Sequence, residues 1–347
     1  MATVPSARFL RVRRFVIGGV VALTAASLFT ACSPGDGDGS KIRFALDWTP
    51  NTNHTGLFVA QQEGYFADAG LDVEVLPYNN TAPDTLIDAG NAEFGISFQN
   101  STTFAKAGGA DVVSVLAPLQ HWATGIGVRA DRADITSPKD LDGKTYAGFG
   151  DAGEVETLKE VITNAGGKGD FKNVTLGTSA YEAVYSGKAD FTVPFIAWEG
   201  IEAAHNKTPF KIFDYTDFGF PDAYSIVVDG SQKWLKDHPD QARKFVAALQ
   251  KGYQLAADDP TKAAQDLIDA NQGAFTDEAL VRESQQMLAD RYMKAADGKV
   301  GRQTLEQWTG YSRLLYQRGL LVDGSGKKLT TEPDWSTYFT NDYLATA

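Results

Sequence analysis

Between residues 42 and 147 the chain repeats one pattern: a short apolar run, a polar turn, then a segment with helical spacing. The runs at 42–46, 71–76, 94–97, 112–116, 125–128 and 145–147 read as strands. Segments 55–62, stopped by Gly64, and 82–89 read as helices. Short apolar strands alternating with amphipathic helices build an α/β architecture, with a mainly parallel sheet covered by helices on both faces.

One sequence echo bears on how many such sheets there are. Gly90-Asn-Ala-Glu-Phe94 closes one helix and opens a strand, and Gly187-Lys-Ala-Asp-Phe191 does the same about a hundred residues later. This is either a common helix-to-strand turn, with glycine as the helix stop, or the mark of two similar α/β lobes. After Pro239 the pattern becomes helical. Segments 239–257, 260–270, 277–292 and 303–318 show a 3.6-residue apolar period, with Pro, Asp or Thr at several starts. Such a tail is expected to pack around one lobe. The body is long enough for two cores. We expect crossings near 119–124 and 228–231. They divide the chain into one lobe of 41–122 plus 230–347 and a second of 123–229, with a hinge and an interlobe cleft. Clefts of this kind take small ligands.

The first thirty residues carry Arg8, Arg11, Arg13 and Arg14 and no acid, followed by an uncharged apolar run to Ala31. That order is the recipe for a secretory signal, expected over 1–31. Phe29-Thr30-Ala31-Cys32 resembles a bacterial lipobox, with Phe29 where leucine is usual. Lipidation of Cys32 would anchor the chain to the outer face of the cytoplasmic membrane. The alternative is an uncleaved signal-anchor helix, for which the run is near the lower length limit. Cys32 is the only cysteine, so neither a disulfide framework nor a cysteine metal site is available. Residues 32–40, rich in Gly, Asp and Ser, read as a flexible tether. The net charge of −12 becomes more negative without the signal arginines, which argues against nucleic acid and against a basic membrane-binding face.

The densest chemistry follows the first strand. Leu46-Asp-Trp-Thr-Pro-Asn-Thr-Asn-His-Thr-Gly56 packs a carboxylate, an indole, amides and an imidazole into one loop. Loops at the C-terminal ends of parallel strands are where α/β folds bind ligands; the structural alternative is an Asx-rich turn and helix cap. Gly148-Phe-Gly-Asp-Ala-Gly153 spells G-x-G-x-x-G, the dinucleotide fingerprint. It does not open the first βαβ unit, so we read it as a loop that lets the backbone approach a ligand, with Glu154 in the first turn of the next helix. His54, His121, His205 and His238 lie too far apart to form a metal spacing. His121-Trp122 suits either hinge packing or cleft lining; His205 and His238 suit the surface.

The segment from Asp47 to Gly56, with Glu63-Gly-Tyr-Phe66, Ala69-Gly-Leu-Asp-Val73, Ala197-Trp-Glu-Gly-Ile-Glu202 and Pro221-Asp-Ala-Tyr224, closely resembles the thiamine-precursor binding proteins of bacterial ABC importers. These share a fold with the yeast-type thiamine-pyrimidine synthase. The resemblance implies the type II periplasmic-binding-protein fold and an aminopyrimidine ligand. It also implies ligand-binding positions at Asp47, Trp48, Asn51 and His54 from lobe one, and at Glu154, Trp198, Glu199 and Tyr224 from lobe two. The chain departs from the family at Asp151-Ala152, where Ser-Pro is common.

Aromatic faces and carboxylates suit a flat, amino-bearing ring. The candidate loops offer neither Arg nor Lys, which speaks against a sulfonate or nitrate. The expected function is therefore an exported solute-binding lipoprotein. It would act as a monomer, without cofactor or metal, and deliver its solute to an ABC permease and ATPase. A riboflavin-like ring, or an aliphatic sulfonate or nitrate, is the alternative solute. The enzyme reading, a pyrimidine synthase, would need a cofactor-bearing lysine, a histidine and a cysteine-rich iron motif, and the chain has no cysteine cluster.

Overall fold

The computed structural model describes residues 41–151 and 153–345; the signal, Cys32 and the tether lie outside the described residues. The chain first lays down β1 (Lys41–Ala45), α1 (Thr55–Gln62), α2 (Tyr65–Asp68), β2 (Asp72–Leu76), α3 (Pro83–Asp88), β3 (Phe94–Ser97), α4 (Gln99–Ala107) and β4 (Val112–Leu116). It then crosses to β5 (Gly125–Arg129), β6 (Thr145–Gly148), α5 (Glu154–Asn164), β7 (Lys172–Thr175), α6 (Ala180–Tyr185), β8 (Phe191–Thr192), α7 (Glu199–His205) and β9 (Phe210–Asp214). It returns for β10 (Val227–Ser231), α8 (Gln232–Asp237), α9 (Pro239–Asp258), α10 (Pro260–Ala270), α11 (Glu278–Arg291) and α12 (Leu305–Gln317).

Two five-stranded sheets result, ordered β2-β1-β3-β10-β4 and β7-β6-β8-β5-β9. Each is mixed. In the first, β10 runs antiparallel to β3 and β4; in the second, β5 runs antiparallel to β8 and β9. The expected mainly parallel arrangement holds for the other four strands of each sheet. The reversed strand is in both cases the one that enters directly from the other sheet, whereas the remaining strands mostly follow helical connections that restore direction.

The sequence echo falls at matching points of the two sheets, since it leads into β3 and β8. Gly90 and Gly187 both adopt the left-handed conformation, at φ 70° and 73°. In each turn the next two N–H groups bond back to one carbonyl of the preceding helix, that of Leu86 or Ala183. The acid that follows also repeats its role. Glu93 accepts from the N–H of Arg43 on β1, and Asp190 accepts from the N–H of Thr145 on β6.

Each sheet has its own core. Ile42, Phe44, Phe94, Ile96, Val115 and Val228 pack against Phe245, Leu249 and Leu267 of α9 and α10. Ile126, Val128, Tyr146 and Phe191 pack with Leu158 and Ile162 of α5. The helical tail divides between them. α9, α10 and α11 belong to the first core, but Trp308, Tyr311 and Leu315 of α12 join the second. α12 is tied to both sides, through Thr103 Oγ1 to Ser312 Oγ at 2.8 Å and Thr157 Oγ1 to Tyr311 Oη at 2.9 Å. α12 thus sits where the two sides meet: Trp308 packs on Tyr338 and Phe339 beside β4, while Tyr311 packs on Trp122 and Phe220. The starts follow the sequence signals, with Asp259, Asp277 and Thr304 each accepting an N–H of the helix they cap. No helix among the described residues is long and apolar enough to cross a membrane.

Candidate functional site

The loop after β1 is locked from behind. Asn51 caps the turn Thr52–His54, its Oδ1 accepting from Asn53 N at 2.9 Å, while the N–H of Asn51 donates to His54 Nδ1 at 3.3 Å. Tyr253 of α9 donates its hydroxyl to Asn53 O at 2.9 Å, and Thr52 Oγ1 meets Ser284 Oγ of α11 at 2.6 Å. α1 then passes α9 so closely that a Cβ on Gly56 would lie 2.2 Å from the Tyr253 ring. Within this frame His54, fully buried, places Nε2 2.7 Å from Asp47 Oδ1.

The glycine-rich loop after β6 is organised by its own acid. Glu154, the first residue of α5, accepts from the N–H groups of Phe149, Gly150 and Asp151 at 2.9–3.2 Å and from the Tyr146 hydroxyl. The N–H groups that a dinucleotide phosphate would need are therefore already taken by a carboxylate. Asp151 accepts from Gly153 N and, across the cleft, from Asn100 Nδ2 of α4 at 3.2 Å; burial raises its pKa above the usual carboxylate range.

Trp198 and Glu199 stand at the start of α7. Glu199 Oε2 accepts from Phe195 N at 3.0 Å. Burial lifts its pKa to about 7, and hydrogen bonds from backbone N–H groups and Tyr181 only partly oppose that rise. Some contact with water persists, because the residue borders a cavity.

That cavity, of about 350 Å³, lies between the two sheets. Its wall draws Asp47, Trp48, Asn51, Phe98 and Asn100 from the first body. Phe149, Asp151, Glu154, Tyr181, Phe195, Trp198 and Glu199 come from the second. Trp122 and Tyr215 enter from the crossings and Tyr311 from α12. Four carboxylates and ten aromatic side chains border it; no Lys, Arg or His among the described residues does. Phe98 and Phe195 face each other at 6.0 Å between ring centroids, and Trp48 lies 5.2 Å from Tyr78.

Six of the eight residues singled out from the sequence come together here: Asp47, Trp48, Asn51, Glu154, Trp198 and Glu199. The other two stand behind the wall. His54 is turned into the protein against Asp47. Tyr224 is buried beside Trp308, its hydroxyl accepting from Thr304 N at 2.7 Å. Sequence reasoning missed Phe98, Asn100, Phe149, Tyr181, Phe195, Tyr215 and Tyr311, which sit at strand ends or on helices whose apolar periodicity reads as core. His121 binds Asp222 rather than the cavity, with Nδ1 2.7 Å from Asp222 Oδ2, and its neighbour Trp122 lines the wall. His205 sits at the surface between Asp277 and Glu283, and His238 stacks on Trp234.

A family model described as NMT1/THI5 like matches residues 51–263. The formylaminopyrimidine-binding protein of Halalkalibacterium halodurans is 28% identical over 300 residues, covering 83% of this chain and 90% of its own. The 4-amino-5-hydroxymethyl-2-methylpyrimidine phosphate synthase THI13 of Saccharomyces cerevisiae is 27% identical over 319 residues, 88% of each chain. Among solved structures, the alkanesulfonate-binding protein SsuA of Xanthomonas axonopodis pv. citri aligns with a TM-score of 0.63 at 14% identity, covering 89% of this chain and 99% of that one. The ligand-binding component of an ABC-type import system from Staphylococcus aureus aligns with a TM-score of 0.64 at 16% identity, covering 88% and 97%. At such identities the likeness shows the shared fold, which is the type II periplasmic-binding fold.

Proposed function

We propose, from the premise that the chain belongs to the NMT1/THI5-like family, that it is an extracytoplasmic solute-binding protein capturing a thiamine-related aminopyrimidine between its lobes. The observation that carries this reading is the cavity wall of aromatic rings and carboxylates without a cationic side chain. Aromatic faces take a flat ring. Carboxylates take exocyclic amines and protonated ring nitrogens through charge-assisted bonds. A sulfonate or nitrate would meet Asp47, Asp151, Glu154 and Glu199 with no compensating charge. The volume suits a small ring compound.

The two bodies would close on the solute; the division expected at 122/123 and 229/230 shifts at its second point, because β10 lies wholly in the first sheet and the return crossing precedes it. The closed form would then be recognised by an ABC permease with its ATPase. Only tighter binding to the closed state can drive that shift. The signal at 1–31 and lipidation at Cys32 would hold the protein beside the permease. The relatives include synthases as well as a binding protein. The binding reading is favoured because no lysine among the described residues borders the cavity to carry a cofactor, and a single cysteine cannot supply a cysteine-rich iron motif. These residues do not fit the synthase's cofactor and iron requirements.

The test is the thermal shift of the purified protein with formylaminopyrimidine, 4-amino-5-hydroxymethyl-2-methylpyrimidine, riboflavin, an alkanesulfonate and nitrate. Stabilisation by an aminopyrimidine and not by the anions is expected. Stabilisation by sulfonate or nitrate alone would overturn the reading.

A further inference from the structure

His54 is buried to 0% exposure, so it cannot touch a solute, yet it sits in the densest functional loop of the chain. Its two nitrogens are both engaged, and in different senses. Nδ1 receives the N–H of Asn51 at 3.3 Å, so that nitrogen presents a lone pair. The ring proton must then sit on Nε2, which lies 2.7 Å from Asp47 Oδ1 and donates to it. The tautomer is thus set by a backbone N–H, and that backbone is itself fixed by the Asn51 cap, by Tyr253 on Asn53 O and by Ser284 on Thr52. Asp47 is the end of this chain of contacts. Its side chain is 10% exposed, and that exposure faces the cavity it lines.

We propose that His54 is the positioning residue that orients the Asp47 carboxylate toward the cavity, occupying one oxygen and leaving the other to accept an N–H from the amino group of the solute. This rests on the reading of the cavity as an aminopyrimidine site. A carboxylate on a loop has rotational freedom about its side-chain torsions, and a fixed donor on one oxygen removes it. The selectivity of the site for an amine then depends on a residue that never meets the ligand.

The experiment uses the full-length protein, its H54L and H54Q variants, and two probes: formylaminopyrimidine and an analogue with methyl in place of the exocyclic amine. Leucine removes the donor to Asp47, and a glutamine amide can supply one. H54L should weaken the amine-bearing probe about tenfold or more, as expected for a lost charged hydrogen bond. The analogue's affinity should stay within about twofold, and H54Q should recover most of the loss. Equal weakening of both probes, or of neither, would overturn the proposal. A second arm needs no ligand: nitrogen-15 imidazole spectra of the wild type at neutral pH should show His54 as the neutral ring protonated on Nε2. A ring protonated on Nδ1 would overturn it even if H54L fails to fold. If the wild type binds neither probe, the aminopyrimidine assignment falls, and the imidazole spectra still decide whether His54 orients Asp47.

Discussion

Asp222, on the segment returning from the second sheet, accepts the backbone N–H of Trp122, on the segment leaving the first, at 2.9 Å. The other oxygen of the same carboxylate lies 2.7 Å from His121 Nδ1. One side chain therefore fastens the two crossings to each other at the point about which the bodies would turn. Replacing Asp222 by Ala should cost about 1 kcal/mol of stability, measured by urea unfolding. The hydrogen bond to Asp222 is the main cause that raises the His121 pKa. A raised histidine contributes stability that is complete below its unfolded pKa, near 6.5, and is lost as pH rises through the folded value. D222N keeps an acceptor for Trp122 but not the charge, so the melting-temperature gap between wild type and D222N should be larger at pH 5.5 than at pH 9. A gap independent of pH would refute the pairing.

Glu199 gives the same direction of pH dependence from the opposite cause, since burial disfavours its charged form. Burial raises its folded pKa from 4.5 to about 7, so between those values the folded state holds a proton that the unfolded state has lost. Stability should fall as pH rises through that window and level off above it. E199Q lacks the titration. The variant should therefore gain stability relative to wild type between pH 4.5 and 7.5, by about 1–2 kcal/mol once solvent access through the cavity is allowed for. Paired calorimetric scans at the two pH values measure this directly.

Trp198 and Tyr224 were indistinguishable as sequence candidates, and the structure separates them. Trp198 lines the cavity, and Tyr224 does not. W198A should weaken aminopyrimidine binding by about 2 kcal/mol in isothermal titration, the range of an aromatic hot spot. Y224F should leave affinity unchanged and lower stability by about 1 kcal/mol, because Thr304 N–H loses its acceptor. Comparable losses of affinity in both variants would contradict the placement.

Gly56 tests the frame behind the site. An added methyl would overlap the Tyr253 ring at 2.2 Å, and Gly252 leaves only 2.1 Å to Gly56 O for its own. G56A should cost about 3 kcal/mol through overpacking, read as a lower urea midpoint. The fluorescence of Trp48 in the folded variant should also change if the loop moves.

The elements that repeat a short period were legible. Helix 55–62 and strands 94–97 and 112–116 match the structure residue for residue. The starts at Pro260, behind the Asp259 cap, and at Asp277 were readable because capping is local, whereas α12 begins two residues later than expected, at Leu305 behind the Thr304 cap. What escaped was whatever depends on which face an element turns to a distant neighbour. The reversed direction of β5 and β10 is set by where the chain has come from, which periodicity does not encode. His54 and Asp47 are seven residues apart in a loop, and nothing in their order says that one turns inward to hold the other. Tyr311 looks like core from its helical spacing and is both core and cavity wall.

The placement of β10 also bears on the order of synthesis. Every strand of the second sheet, from Gly125 to Asp214, emerges from the ribosome before Val227, whereas the first sheet waits for β10 to fill the gap between β3 and β4. Until then β3 carries an open edge and β4 has no partner strand, and such edges can pair with the wrong chain. The lobe begun first is finished last, and the nascent chain spends that interval with its earliest strands in need of protection.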